Sequence, residues 1–301
     1  MEVNKQQNRT QTQNKIKNQN RLRQRIPEID FARGIAVILM VFAHIGIFSN
    51  ITAINLLIIN KNSINKNLIN KRLLAFLLNN TLSKLTNILS VMSHSLFIIL
   101  VGVNMVTNYQ NSINKSISEN TAKSNSNYIQ KNIKRALFIS MLGVFMSIFT
   151  RYIFGQWYII FGIFQFIAVS ILLAIPIQLY YNEYMVTTMI LFILLIGKII
   201  SIPQQNKINI WAIIGGNVVN TYKFLDFFPL IPYFAMILIG LVIGNNLYKI
   251  DYPKFNSEQK KNRLIKSISE KGKWSIQIYF VHLIIIFLVM RQVISCKKIK
   301  L

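Results

Sequence analysis

The chain has 301 residues, of which 52% are hydrophobic and only 14% charged, with a mean hydropathy of +0.40. Soluble domains carry about 25% charged residues, so the composition excludes an ordinary soluble fold and points to lipid as the solvent. The net charge of +25, from 34 Lys and Arg against 9 Asp and Glu, comes without a basic amphipathic element, zinc spacing or aromatic RNA-binding motif, so nucleic acid is not an expected partner.

In chain order, residues 1–25 are rich in Asn, Gln, Lys and Arg and have almost no apolar content. Such a segment cannot bury enough surface to offset its ordering entropy, and it reads as a disordered basic cytoplasmic tail. The first apolar run starts only near Phe31, so no cleavable signal peptide is expected. Apolar stretches of spanning length then follow at about 32–48, 88–106, 136–154, 157–179, 185–202, 228–248 and 274–293,. A weaker stretch, 68–85, is broken by Asn79, Asn80 and Lys84 and reads as an amphipathic or interfacial helix. Residues 111–127 read as a flexible polar loop and 249–273 as a basic loop. Residues 294–301 form a short basic C-terminal tail, leaving 26–293 as the membrane domain.

The expected fold is therefore all-α, a polytopic transmembrane bundle of about seven spans, with an eighth if 211–219 inserts and six at the lower bound. Lys198 falls inside the fifth span, where it would snorkel to the interface. With the N-terminus inside, the inside segments hold 21 Lys and Arg and the outside ones 12, so the charge bias favours N-in and C-out. The basic stretch 61–84 runs against it. The lone Cys296 permits no internal disulfide, and no Cys/His spacing suggests a metal.

Polar side chains inside lipid are costly and are functional candidates by default. All three histidines, His44, His94 and His282, fall within expected spans. At 1.5 Å per residue, His44 and His94 lie about 9 Å below the outer ends of their spans, Gln165 lies about 12 Å in, and His282 sits near the midplane. Asp226 marks the outer mouth of the sixth span. These polar groups are expected to converge on the middle-to-outer layer. The plain alternative is interhelical hydrogen bonding, worth under about 1 kcal/mol per contact. Asp30 and Arg33 are three residues apart and share one helix face. Asp30 suits a helix N-terminus, whereas a guanidinium there has no dipole rationale and could grip a phosphate.

Several stretches resemble one family. RIPEIDFARGIAVILMVFAHIG (25–46), SLFIILVGVNM (95–105), KRALFISMLGVFMSI, IIFGIFQFIAVSILL (159–173), LDFFPLIPYFAMILIGLVIGNNLY and GKWSIQIYFVHLIII (272–286) look like the successive helices of the heparan-α-glucosaminide N-acetyltransferase catalytic-domain family, within the wider transmembrane acyltransferase superfamily. The resemblance is collinear over about 25–290. It implies an integral membrane O- or N-acyltransferase that draws an acetyl or other acyl group from cytoplasmic acyl-CoA and passes it to a glycan, lipid-linked sugar or similar acceptor at the far face.

By the same resemblance His44 is the catalytic position, as proton acceptor or transient acyl carrier. Arg33 and Asp30 match the donor entrance, while Asp226 and His282 match positions that shape the acceptor pocket or orient His44; His94 and Gln165, as polar groups within their spans, are expected on the substrate-binding side with them. Gln165 stands where the family often has His. In the animal lysosomal members the first-helix position is Asn and the proposed catalytic histidine lies in the following loop, yet residues 51–87 here contain no His. That mechanism therefore does not carry over, and heparan sulfate is not the expected acceptor. A transporter or flippase using the same polar cavity is the alternative; it would be expected to show internal repeats and broken helices, and none is visible. A family member retaining only a structural role is the third possibility.

Overall fold

The computed structural model describes residues 26–59, 66–119, 124–155, 158–199, 213–215, 226–248 and 262–298. Eight helices are described: α1 (Pro27–Ile59), α2 (Lys66–Glu119), α3 (Ser124–Phe154), α4 (Ile163–Leu179), α5 (Glu183–Ile199), α6 (Leu230–Tyr248), α7 (Arg263–Lys273) and α8 (Ser275–Lys298). Among the described residues no strand forms, and the β-type pairing described is one isolated bridge between Gly215 and Ile231.

By length and composition, three of the described helical segments are able to cross a membrane: Lys84–Ile117, Ser124–Phe154 and Leu230–Tyr248. Arg263–Lys273 and Ser275–Val289 qualify together as a pair bent by 73°, giving a fourth, and Ile163–Leu179 is apolar but shorter. The fold is thus helical with three to four candidate spans among the described residues. The tail 1–25 and most of 211–219 lie outside them.

Two sequence expectations need correction. Residues 68–85 do not form a separate interfacial element but belong to α2, and the expected loop 111–127 is helical at both ends. The cause is the residue types. Across its 54 residues α2 has one glycine, Gly102, and no proline, so its many Asn, Ser and Lys residues lower the hydropathy without supplying a breaker. Similarly, 263–273 is a helix rather than loop. Asn262 caps it by accepting from the Leu264 N–H at 3.0 Å,.

The helices group into two compact units, one of Glu28–Phe97 with Phe255–Leu301 and the other containing Ile98–Lys254. In the second unit α3 packs on α4 and α5 on α6. Gly155, at φ +63°, ends α3 through a bond from its N–H to the Arg151 carbonyl of 2.9 Å, a left-handed C-terminal position that suits glycine. Asn245 donates to Gln178 at 3.2 Å and ties α6 to α4, while Asn246 donates to Glu183 at 3.1 Å and ties α6 to α5. The α2–α6 crossing is built on small residues. A Cβ on Gly102 would stand 2.9 Å from the Gly240 Cα, and one on Gly240 would collide with the Ile99 carbonyl oxygen. Close backbone approach of this kind drives helix association where lipid removes the hydrophobic drive.

In the first unit, α1 opens with Pro27 and carries Glu28 and Asp30 in its first turn, which suits the positive helix end. Its buried residues include Ile29, Asp30, Ala36, Val37, Met40 and Ala43. α7 crosses α1 at this end: a Cβ on Gly34 would meet Ile268 at 2.8 Å, and one on Gly272 would overlap the Asp30 carbonyl.

Gly240→Leu is expected to lose about 1–3 kcal/mol of stability through overpacking at the α2–α6 crossing. A drop in the thermal midpoint of the detergent-purified protein checks it; an unchanged midpoint would contradict the crossing.

Candidate functional site

The first unit gathers the three histidines from three helices. The His44 ring on α1 lies 6.1 Å from that of His94 on α2 and 5.2 Å from that of His282 on α8, each edge-on. Tyr279, one helical turn before His282, meets it edge-on at 5.1 Å and in turn stacks on Phe97 at 6.2 Å.

Each ring returns Nδ1 to the backbone carbonyl one turn earlier: His44 to Met40 at 2.8 Å, His94 to Ser90 at 2.6 Å and His282 to Ile278 at 3.1 Å. A carbonyl oxygen only accepts, so the hydrogen resides on Nδ1. In the neutral ring Nε2 then carries the lone pair. For His282 that atom is buried and without a hydrogen-bond partner among the described residues.

At the N-terminal end of α1, Arg33 Nη1 donates to Asp30 Oδ1 at 2.6 Å, with the Asp30 side chain 4% and the Arg33 side chain 20% exposed. The other carboxylate oxygen, Asp30 Oδ2, is buried without a partner among the described residues. Arg33 precedes His44 by eleven residues, about 16 Å along the axis. At 100° per residue the two are separated by only about 20° around the helix, so they share one stripe.

Gln165 and Asp226 belong to the other unit, where both serve the start of α4. Gln165 Nε2 donates to the Gly143 carbonyl and to Ser147 Oγ, each at 2.8 Å, and its Oε1 accepts from the Gly162 N–H at 3.1 Å. The glutamine thus joins α3 to the first turn of α4, and the absence of a side chain at Gly143 makes room for it. Asp226 Oδ2 accepts from the Ile163 N–H at 3.3 Å, while the Phe228 N–H bonds the Phe161 carbonyl at 3.0 Å. Sequence reasoning had not anticipated this clamp, since Asp226 and Ile163 are 63 residues apart. Among the described residues no group of three or more His, Cys, Asp or Glu side chains is disposed to hold a metal.

Burial pushes the Asp226 carboxyl up to about 7 from 3.8, against the opposing effect of the Ile163 N–H,. Between those values the folded chain holds a proton that the unfolded chain has released. Stability therefore falls as pH rises from about 4 to about 7 and levels off above that. Asp226→Asn, which still accepts from Ile163, is expected to flatten this slope in thermal unfolding across that range, whereas an unchanged slope would assign the titration elsewhere.

A family model, heparan-alpha-glucosaminide N-acetyltransferase, catalytic, matches residues 68–284, well over half of the chain. The matched stretch includes His94, Gln165, Asp226 and His282 and begins after Asp30, Arg33 and His44. No curated protein matches the chain, nor does any solved structure. With an all-helical architecture holding several apolar, membrane-length helices, the chain belongs to the heparan-α-glucosaminide N-acetyltransferase catalytic-domain family, an acyltransferase-type membrane protein.

Proposed function

We propose that the protein is a multi-pass membrane O- or N-acyltransferase in which His44 takes the proton of the acceptor. The observation that carries this is the histidine cluster, where Nδ1 of each ring is held by a backbone carbonyl. A base must offer a lone pair in a fixed direction, and in His44 that duty falls to Nε2.

The donor end is Arg33, held by Asp30. A guanidinium pairs well with phosphate, and its separation from His44, about 16 Å along one helix face, is of the order spanned by the pantetheine arm of CoA. Bound acyl-CoA supplies the acyl carbonyl as a thioester. His44 Nε2 accepts the proton as an acceptor hydroxyl or amine bonds to the acyl carbon and the carbon–sulfur bond breaks. The same nitrogen then returns the proton to the departing sulfur, so the products are acylated acceptor and free thiol. His282, with its partnerless Nε2 beside His44, is suited to share the proton in between. His94 completes the wall of the cluster, and Gln165 and Asp226 act within their own unit by holding the start of α4. A glycan or lipid-linked sugar is the acceptor class.

In this reading the chain crosses the membrane seven times with the N-terminus inside and the C-terminus outside, as the Lys and Arg distribution favours. The lone cysteine tests it. Cys296 in intact cells is expected to react with a membrane-impermeant maleimide, and protection until the membrane is opened would reverse the assignment.

For the chemistry, membranes are incubated with labelled acetyl-CoA and the labelled product is identified. His44→Ala is expected to lower transfer by at least about a hundredfold while the protein still purifies as a folded species. Retained transfer would remove His44 from the mechanism.

A further inference from the structure

Helix α8 has 24 residues, about 36 Å at the usual rise, and is long enough to cross the roughly 30 Å hydrocarbon layer without α7. The eleven residues of α7 include Arg263, Lys266, Glu270, Lys271 and Lys273, a charge density that keeps it out of that layer. The chain bends by 73° between the two helices. With α8 crossing the membrane, α7 therefore runs close to parallel with the membrane surface.

The level at which α7 lies is set by α1. A Cβ on Gly272 would overlap the Asp30 carbonyl, and one on Gly34 would meet Ile268 at 2.8 Å. The helix thus rests across the first turns of α1, where the apolar run that opens near Phe31 begins. Ser269 and Gly272 are buried. Leu264 and Trp274, at the two ends of α7, are instead 72% and 62% exposed. Large apolar side chains exposed at the start of a spanning helix suit the headgroup layer, where tryptophan collects because its ring is apolar and its N–H is polar.

The charges divide between two sides of the helix. Glu270 stands three residues before Lys273 and four after Lys266, a spacing that allows it to pair with both. Glu28 adds a second carboxylate in the first turn of α1, and Asp30 and Arg33 answer one another. Four cations on α7 against Glu270 and Glu28 leave an excess of two. At 100° per residue, Leu264, Ile268 and Lys271 share an arc of about 60°, with Glu270 at least about 100° away. An apolar edge and a cation therefore occur together on the side away from the acid.

We propose that α7 is a lipid-surface helix, lying in the headgroup layer where α8 enters the membrane, seating Leu264 and Trp274 at the acyl boundary and preferring anionic lipid. Such helices combine apolar burial with attraction to anionic headgroups. The inference rests on the membrane assignment and is independent of the acyl-CoA reading. A second protein is the competing occupant of this edge. Lipid is favoured because the helix lies in the plane of the membrane, at the level where α1 and α8 both begin, and carries a positive excess that anionic headgroups complement.

The test uses the full-length protein with Trp157→Phe and Trp211→Phe, which leaves Trp274 as the sole tryptophan, in vesicles containing lipid brominated near the headgroup end of its acyl chains. Bromolipid is expected to quench the Trp274 emission by about half or more, and aqueous iodide to quench it little. At equal mole fraction and low salt, brominated phosphatidylglycerol is expected to quench about twice as strongly as brominated phosphatidylcholine. That ratio should fall towards unity at high salt and in the further variant Arg263→Gln/Lys271→Gln. If the Phe substitutions prevent purification, the same quantities are read as the difference between the parent and Trp274→Phe. Quenching by iodide without quenching by bromolipid would overturn the proposal by placing α7 in water. Shielding from both would overturn it in favour of a protein covering this edge. Equal quenching by the two brominated lipids would overturn the preference for anionic lipid.

Discussion

Inside lipid a polar atom finds its partner within the protein or is left without one. For the histidines of this chain the partner is the helix itself. Nδ1 of His44, His94 and His282 each returns to a carbonyl one turn back, so the backbone orients the rings. A carboxylate usually performs this duty for a catalytic histidine. Here the nearest acidic residue preceding His44 on α1 is Asp30, fourteen residues or about 21 Å away. Orientation without a carboxylate leaves the cluster free of fixed negative charge from its own helix, and it confines proton chemistry to Nε2.

The same helix links the two ends of the site. Because Asp30, Arg33, Val37, Met40 and His44 recur at intervals of three and four, they fall on one stripe of α1. Asp30, Val37 and Met40 are buried on it. The stripe makes the distance between Arg33 and the His44 ring a property of a rigid rod rather than of a loop. The glycine crossing of α7 on α1 acts at the first turns of the same rod.

Much of the helical architecture was legible in the sequence because apolar runs report lipid directly. The span expected at 228–248 and α6 (Leu230–Tyr248) agree within two residues, and placing every histidine in an apolar run followed from hydropathy alone. The misreadings share one physical origin, that hydropathy measures preference for lipid and not for helix. Asn- and Lys-rich stretches such as 66–84 and 111–119 are too polar to count as span, yet they contain no proline or glycine to stop a helix. In α7 the apolar residues Ile265 and Ile268 with Gly272 mark one face, and the Asn262 cap precedes them; the lysine content of the surrounding stretch hid that pattern. What no local pattern could supply was partnership. Gln165 on α4 finds Gly143 and Ser147 on α3, 22 and 18 residues earlier, and Asp226 finds Ile163 across 63 residues.

Partnership also separates the polar residues by duty. Gln165 has both its amide nitrogen and its carbonyl oxygen engaged in holding the first turn of α4. Exchanging it for histidine would trade a side chain with two N–H donors and an acceptor for one with a single donor and a single acceptor when neutral. The glutamine thus fits a joint that must satisfy two acceptors and one donor at once. His282 is the opposite case, because one ring nitrogen is satisfied and the other is buried with no partner among the described residues. An unmet acceptor in an apolar surround costs free energy, and the proposed mechanism gives that atom a use as a transient proton acceptor. Gln165 completes its hydrogen bonds and builds the fold here, whereas His282 keeps one buried atom without a partner among the described residues beside His44, the feature on which its proposed part in the chemistry rests.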